Sequence, residues 1–140
     1  MRYIPLLVGV LGLAAGCGGD RQIATVSGRV TLDGQPLRGA RVSFQPVGNV
    51  KNSGVGSFGK TNDNGEYSLT LIDESAPGAI VGSHEVRIVD QKNTGADPTD
   101  DRQRTRGDLV PAEYNTKTTL HFEVKPGHNE ANWPLVSKKK

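Results

Sequence analysis

Three kinds of side chain in this 140-residue chain have the chemistry to act on a ligand: one thiol, three imidazoles and short runs of acids. His84, His121 and His128 show neither the i, i+4 spacing of a helical zinc motif nor the tight spacing of a loop motif. A metal would need a tertiary meeting, such as His84 beside His121. Asn62-Asp63-Asn64-Gly65-Glu66 shares the composition of a calcium loop, but its acids stand at the wrong positions and Lys60 precedes them. It reads as a turn. Asp97, Asp100 and Asp101 are followed at once by Arg102, Arg104 and Arg106, which reads as a self-neutralising loop. Arg106-Gly107-Asp108 spells an adhesion tripeptide, too short a match to assign. No Gly-x-Ser-x-Gly elbow is present, and no Ser/His/Asp set can be argued from spacing. The expectation is therefore no catalytic residue, no metal and no cofactor. The candidates to face a ligand are Tyr114, Trp133 and His84.

Cys17 is the only thiol and lies at the end of an apolar N-terminal run. Arg2 precedes Ile4-Pro5-Leu6-Leu7-Val8-Gly9-Val10-Leu11-Gly12-Leu13, and Ala14-Ala15-Gly16 lead into the cysteine. A basic start, a short apolar core and small residues at the cut describe a secretory signal peptide. The run is well below the roughly 20 apolar residues that span a bilayer. Small residues directly before a cysteine resemble the lipobox of bacterial lipoproteins, although Ala14 stands where Leu is usual. That resemblance implies cleavage after Gly16 and acylation of Cys17. Residues 1–16 are then a signal peptide, and residues 17–23 a lipidated N-terminus and short linker. The protein is expected at the bacterial cell envelope, lipid-anchored on the periplasmic or outer-membrane face. A lone cysteine also means that the exported domain holds together without an internal disulfide.

The remaining chain is the size of one domain. The formal charge of the whole chain is +2, and loss of Arg2 brings it nearer zero, which gives no electrostatic footprint for nucleic acid. The basic run Lys138-Lys139-Lys140 reads as a solvated tail. Eighteen glycines and only 5% aromatics suit a small β-protein with many turns.

Period-two alternation recurs along the chain, the signature of half-buried strands. Val26, Gly28, Val30 and Leu32 share one register. So do Ala40, Val42 and Phe44; Tyr67, Leu69 and Leu71; Val86 and Ile88; Leu120, Phe122 and Val124; and Ala131, Trp133 and Leu135. Asp33-Gly34-Gln35-Pro36 and Asn62-Asp63-Asn64-Gly65 are turn signals. Residues 47–57 read as a loop, with a weak strand signal near Val55–Lys60. Residues 91–108 read as a long polar insertion. About seven short strands separated by turns imply an antiparallel sandwich or barrel. Pro134 marks an edge strand. Tyr67 is expected in the core, with its hydroxyl reaching a nearby backbone group.

Val26-Ser27-Gly28-Arg29-Val30, Asp33-Gly34-Gln35-Pro36-Leu37-Arg38-Gly39-Ala40-Arg41-Val42 and Thr61-Asn62-Asp63-Asn64-Gly65-Glu66-Tyr67 resemble the carboxypeptidase regulatory-like domain. Gly82-Ser83-His84-Glu85-Val86-Arg87-Ile88 is similar to its later strand, with His84 where Tyr is usual. The resemblance covers residues 24–90. It implies an all-β, seven-stranded antiparallel Greek-key β-sandwich of the transthyretin (prealbumin) type over residues 24–137, followed by a basic tail at 138–140. Small bacterial lipoproteins carry a similar later stretch, from Leu109 to Gly127. The enzyme best known on that fold hydrolyses 5-hydroxyisourate and ends in Tyr-Arg-Gly-Ser. This chain ends Val136-Ser137-Lys138-Lys139-Lys140, so that activity is not expected.

The function expected from the sequence is a non-catalytic module, anchored to the membrane by lipid. It would present loops 47–60 and 91–115 to an envelope protein or surface polymer. One alternative is a carbohydrate- or polymer-binding accessory domain using Trp133 or Tyr114. Another is an envelope hydrolase, which would need converging histidines and acids.

Overall fold

The computed structural model describes residues 21–48, 54–73, 75–90 and 110–137. Residues 1–20, which hold Cys17 and the expected signal peptide, the segment 91–109 and the lysine tail lie outside these residues. The described part is all-β, with a single 3-10 turn at Ala112–Tyr114.

β1 (Ile23–Leu32) is the axis of one sheet. Its alternation places Ala24, Val26 and Val30 inward and Thr25 and Arg29 outward. One flank of β1 is covered in three places by antiparallel pieces: β2 (Gln35–Pro36), β5 (Glu66–Ser68) and β7 (Ala79–Ile80). The other flank carries β10 (His128–Glu130) and β11 (Trp133–Leu135), both parallel to β1. The second sheet is antiparallel throughout. It contains β3 (Ala40–Pro46), β4 (Ser57–Lys60), β6 (Thr70–Leu71), β8 (Gly82–Asp90) and β9 (His121–Val124), in the order β6-β4-β3-β8-β9.

Turn chemistry explains the connections. Asp33 and Gly34 have φ of 51° and 81°, and Leu32 pairs with Gln35, so the hairpin is a two-residue loop with both central residues left-handed. At the second turn, Asn62 Oδ1 accepts the backbone N–H groups of Asn64 at 3.0 Å and Glu66 at 2.9 Å. Asp63 pairs instead with Arg38 at 2.8 Å. Asn62 is thus the residue that caps the turn, while the Asp63 carboxylate is held by Arg38.

Val26, Val30, Val42, Phe44, Leu69, Val86, Ile88, Val124 and Leu135 fill the space between the sheets. Tyr67, Trp133 and Phe122 extend it, with Phe44–Phe122 and Phe44–Trp133 ring centroids 5.6 and 6.3 Å apart. The expectation of packed antiparallel strands needs two corrections. The described residues form eleven strand segments: at Leu69 and Val81 the chain passes from the first sheet to the second, and residues 131–132 interrupt the pairing along β1. The last two segments run parallel to β1, because the Pro126-Gly127 turn carries the chain out of β9 and into the first sheet. The weak signal at Val55–Lys60 is an interior strand, β4, rather than part of a displayed loop. Its inward Gly59 makes room for the Ser68 backbone, so the strand lacks the apolar side chain that would have marked it.

Candidate functional site

The outward side chains of β1 and its neighbours enclose an open cleft of about 630 Å³ on the solvent face of the first sheet. Ser27, Arg29 and Thr31 come from β1, Glu66 and Ser68 from β5, and His128 and Glu130 from β10. Asn132, Trp133 and Pro134 close one side.

Beside the cleft the β1–β10–β11 ladder is broken. Between the paired stretches 25–27 with 128–130 and 30–32 with 133–135, Ala131 and Asn132 leave the regular pattern. The Ala131 carbonyl turns inward and accepts the Tyr67 hydroxyl at 2.6 Å. The Arg29 N–H donates to the Asn132 side-chain oxygen at 2.9 Å. The inward carbonyl occupies the space a side chain at position 28 would need. A Cβ added to Gly28 would sit 2.5 Å from the Ala131 carbonyl carbon and closer still to its oxygen. Trp133 Nε1 donates to the same Tyr67 oxygen at 2.9 Å. The Tyr67 hydroxyl is therefore both donor and acceptor, and burial pushes its pKa well above the ordinary phenol value.

Electrostatically the cleft is mixed. Arg29 Nη2 donates to Glu66 at 3.0 Å, and this contact, with help from Asn62, holds the Glu66 carboxyl below its ordinary pKa. Glu130 accepts from Asn132 Nδ2 at 2.8 Å. His128 Nδ1 lies 3.1 Å from the Thr25 hydroxyl. The surface offers hydroxyls, an amide, an imidazole, a guanidinium and two carboxylates within one concavity. That inventory suits a ligand rich in hydroxyl or amide groups rather than a strongly charged one.

The sequence-derived candidates separate. Trp133 lines the cleft, but its ring is half-buried, with Phe44 and Phe122 each at a 70° interplanar angle. The residue is shared between the cleft lining and the aromatic cluster of the core. Tyr114 lies in the 3-10 turn, packs on the core and accepts the Val136 N–H at 3.3 Å. It lines no part of the cleft. His84 is corrected outright: it is 1% exposed and packs against Phe44, because it shares the inward register of Val86 and Ile88. Its Nδ1 lies 3.0 Å from the Gly82 carbonyl, which can only accept, so Nδ1 carries the proton. Nε2 faces the core without a partner, and burial lowers the ring's pKa. The meeting of His84 with His121 does not occur. Glu85 is the residue opposite His121, and His121 is exposed on the outer face. Among the described residues no three His, Cys, Asp or Glu side chains converge as metal ligands.

Sequence reading gave the outward residues of β1 no role and so missed the cleft. The available signal was Gly28 in an inward register, a small residue where the alternation calls for a large one.

No protein-family model matches the chain, and no curated protein matches it. Among solved structures the chain is similar to the crystal structure of a DUF3823 family protein from Parabacteroides merdae ATCC 43184, with 14% sequence identity and a TM-score of 0.47. The match covers 84% of this chain, which spans about half (48%) of the length of that one.

Proposed function

We propose that this chain is a non-catalytic, lipid-anchored binding module of the bacterial cell envelope. Its fold is read as the seven-stranded, Greek-key, transthyretin-like sandwich of carboxypeptidase regulatory-like domains. The anchor reading rests on Cys17 and the apolar run before it. The observation that carries the binding reading is the cleft around Arg29, Glu66 and Trp133, a concavity of mixed polar and apolar lining on the sheet face. The binding surface is then the sheet face, not the loops at 47–60 and 91–115. The non-catalytic reading rests on the sequence, in which no Gly-x-Ser-x-Gly elbow and no Ser/His/Asp spacing can be argued.

A saccharide polymer is the second reading, favoured by the hydroxyl, amide and acid side chains around Trp133. Calorimetry and tryptophan fluorescence on titration with envelope glycan fragments test it, since Trp133 is the only tryptophan. A saturable heat that is lost in Asn132→Ala and Ser68→Ala, with the fold intact, supports the cleft. Binding unaffected by both variants places the ligand elsewhere. The anchor is tested by intact mass and detergent partitioning beside Cys17→Ser: a mass of residues 17–140 plus acyl chains supports it, and an unacylated water-soluble product refutes it.

A further inference from the structure

Large apolar side chains in the open are ordinary when scattered, and informative when they gather. Among the described residues Ile23, Val47, Ile72 and Val136 are the exposed ones, at 40%, 41%, 52% and 57%. The first three share one end of the sandwich. Ile23 opens β1 and pairs with Ile80 of β7. Val81 N–H reaches back to the Gln22 carbonyl at 2.8 Å. Val47 follows the end of β3 and donates to the Ser83 carbonyl at 3.0 Å. Ile72 follows β6 and donates to the Gly56 carbonyl at 2.9 Å. Gly54 lies against both Ile80 and the exposed Arg21. The opposite end is polar. It holds Asp33 bonded to Ser137, the Arg38–Asp63 pair and the Asn62 turn, with Val136 alone among them.

We infer that the Ile23–Val47–Ile72 end seats on the lipid bilayer, so that the sandwich stands end-on with its polar end outermost. This rests on the reading of Cys17 as the acylated anchor. Cys17 is four residues from Arg21, and four residues reach at most about 14 Å. An acyl chain rooted in the hydrocarbon thus holds this end, and not the other, at headgroup level. Apolar side chains there bury into the boundary region rather than meet water, and Arg21 stands where lipid phosphates lie. Of the acids at this end, Asp73 is held in its own turn by the Ser75 N–H at 3.0 Å and the Ser75 hydroxyl at 2.6 Å, and Glu123 accepts the Ser83 hydroxyl. The cleft, on the flank of the sandwich, faces sideways and stays open to an envelope ligand.

The test uses the full acylated protein in phosphatidylethanolamine/phosphatidylglycerol vesicles. Cys17 is the only native thiol, so once it is acylated a single introduced cysteine takes a nitroxide label alone. Ile72→Cys and Val136→Cys report the two ends from exposed positions that a label does not force into the core. Spin relaxation by oxygen against a water-soluble nickel chelate reads depth. The expected result is an oxygen-to-nickel accessibility ratio at 72 at least about threefold that at 136, as for a side chain some 5–10 Å into the boundary. Equal, water-like ratios at both sites in a protein whose mass shows acylated Cys17 overturn the seating and leave the anchor standing. High ratios at both sites mean the molecule lies on its side, and also overturn it. A mass without acyl chains removes the anchor and the seating together.

Discussion

Replacing Gly28 with alanine should destabilise the fold by about 3 kcal/mol, where a simple strand argument gives the opposite sign. Gly28 is absent from the residues with positive φ, so its backbone conformation is open to alanine. On that ground alone Gly→Ala stabilises by about 0.4–1 kcal/mol through the unfolded chain. The contacts reverse this. The added Cβ would sit 2.5 Å from the Ala131 carbonyl carbon and 3.2 Å from its nitrogen, which are backbone atoms that no rotamer change can move aside. Overpacking of this kind costs about 1–3 kcal/mol. Moving the Ala131 carbonyl also breaks the 2.6 Å bond from the buried Tyr67 hydroxyl, a further cost of about 1–3 kcal/mol. The net range is about 1–5 kcal/mol, which for a domain of this size lowers Tm by about 4 °C per kcal/mol. Urea unfolding measures it. Tryptophan emission should shift as well, because Trp133 Nε1 donates to the same Tyr67 oxygen. Gly34→Ala is the control: its φ of 81° strains an alanine, but no atom lies within 4 Å of the new Cβ, so emission stays unchanged. A Gly28→Ala protein as stable as the parent, with unshifted emission, refutes the close approach of the Ala131 carbonyl to Gly28 and Tyr67.

Thr61 is buried, donating to the Leu37 carbonyl at 2.6 Å and accepting the Ala40 N–H at 2.8 Å. Thr61→Val should cost about 2–4 kcal/mol by leaving both groups unpaired, and Thr61→Ser should retain most of the stability; chemical denaturation of the two variants checks this. Asn129 joins β9 to β10, accepting the Lys125 N–H at 2.9 Å and donating to the Lys125 and Thr25 carbonyls at 2.8 and 3.2 Å. Asn129→Ala should cost about 2–3 kcal/mol and speed amide exchange at Lys125 before the rest of the sheet. For His84 the folded pKa is lowered below 6.5 by burial, so the unfolded state takes up the proton first as pH falls. Its contribution to stability is fully present above pH 6.5 and is lost below it, down to the folded pKa, by at most about 1.4 kcal/mol per pH unit. His84→Phe, which suits the Phe44 contact, should flatten that acid limb; an unchanged pH profile by thermal melts would show that His84 is not its source.

The sequence by itself determined the strand faces and the two main turns. Alternation is local: Val26, Val30, Val42, Phe44, Tyr67, Leu69, Val86, Ile88, Val124 and Leu135 are buried as their registers required. Asp33-Gly34 and Asn62 to Gly65 form turns because small or amide-bearing residues accept left-handed backbone or bond to it. The Tyr67 hydroxyl, expected at a backbone group, finds Ala131. What remained hidden depends on residues far apart in the chain. β4 shows no apolar pattern because its inward Gly59 accommodates another strand's backbone. The parallel return of β10 and β11 beside β1 follows from which sheet the chain re-enters after Gly127, and no local signal encodes that. His84 has the residue type of a site, but its neighbours in space bury it. The cleft joins residues 27–31, 66–68 and 128–134, whose polar side chains look alike along the sequence. Only their alignment across β1, β5, β10 and β11 turns a solvent face into a concavity.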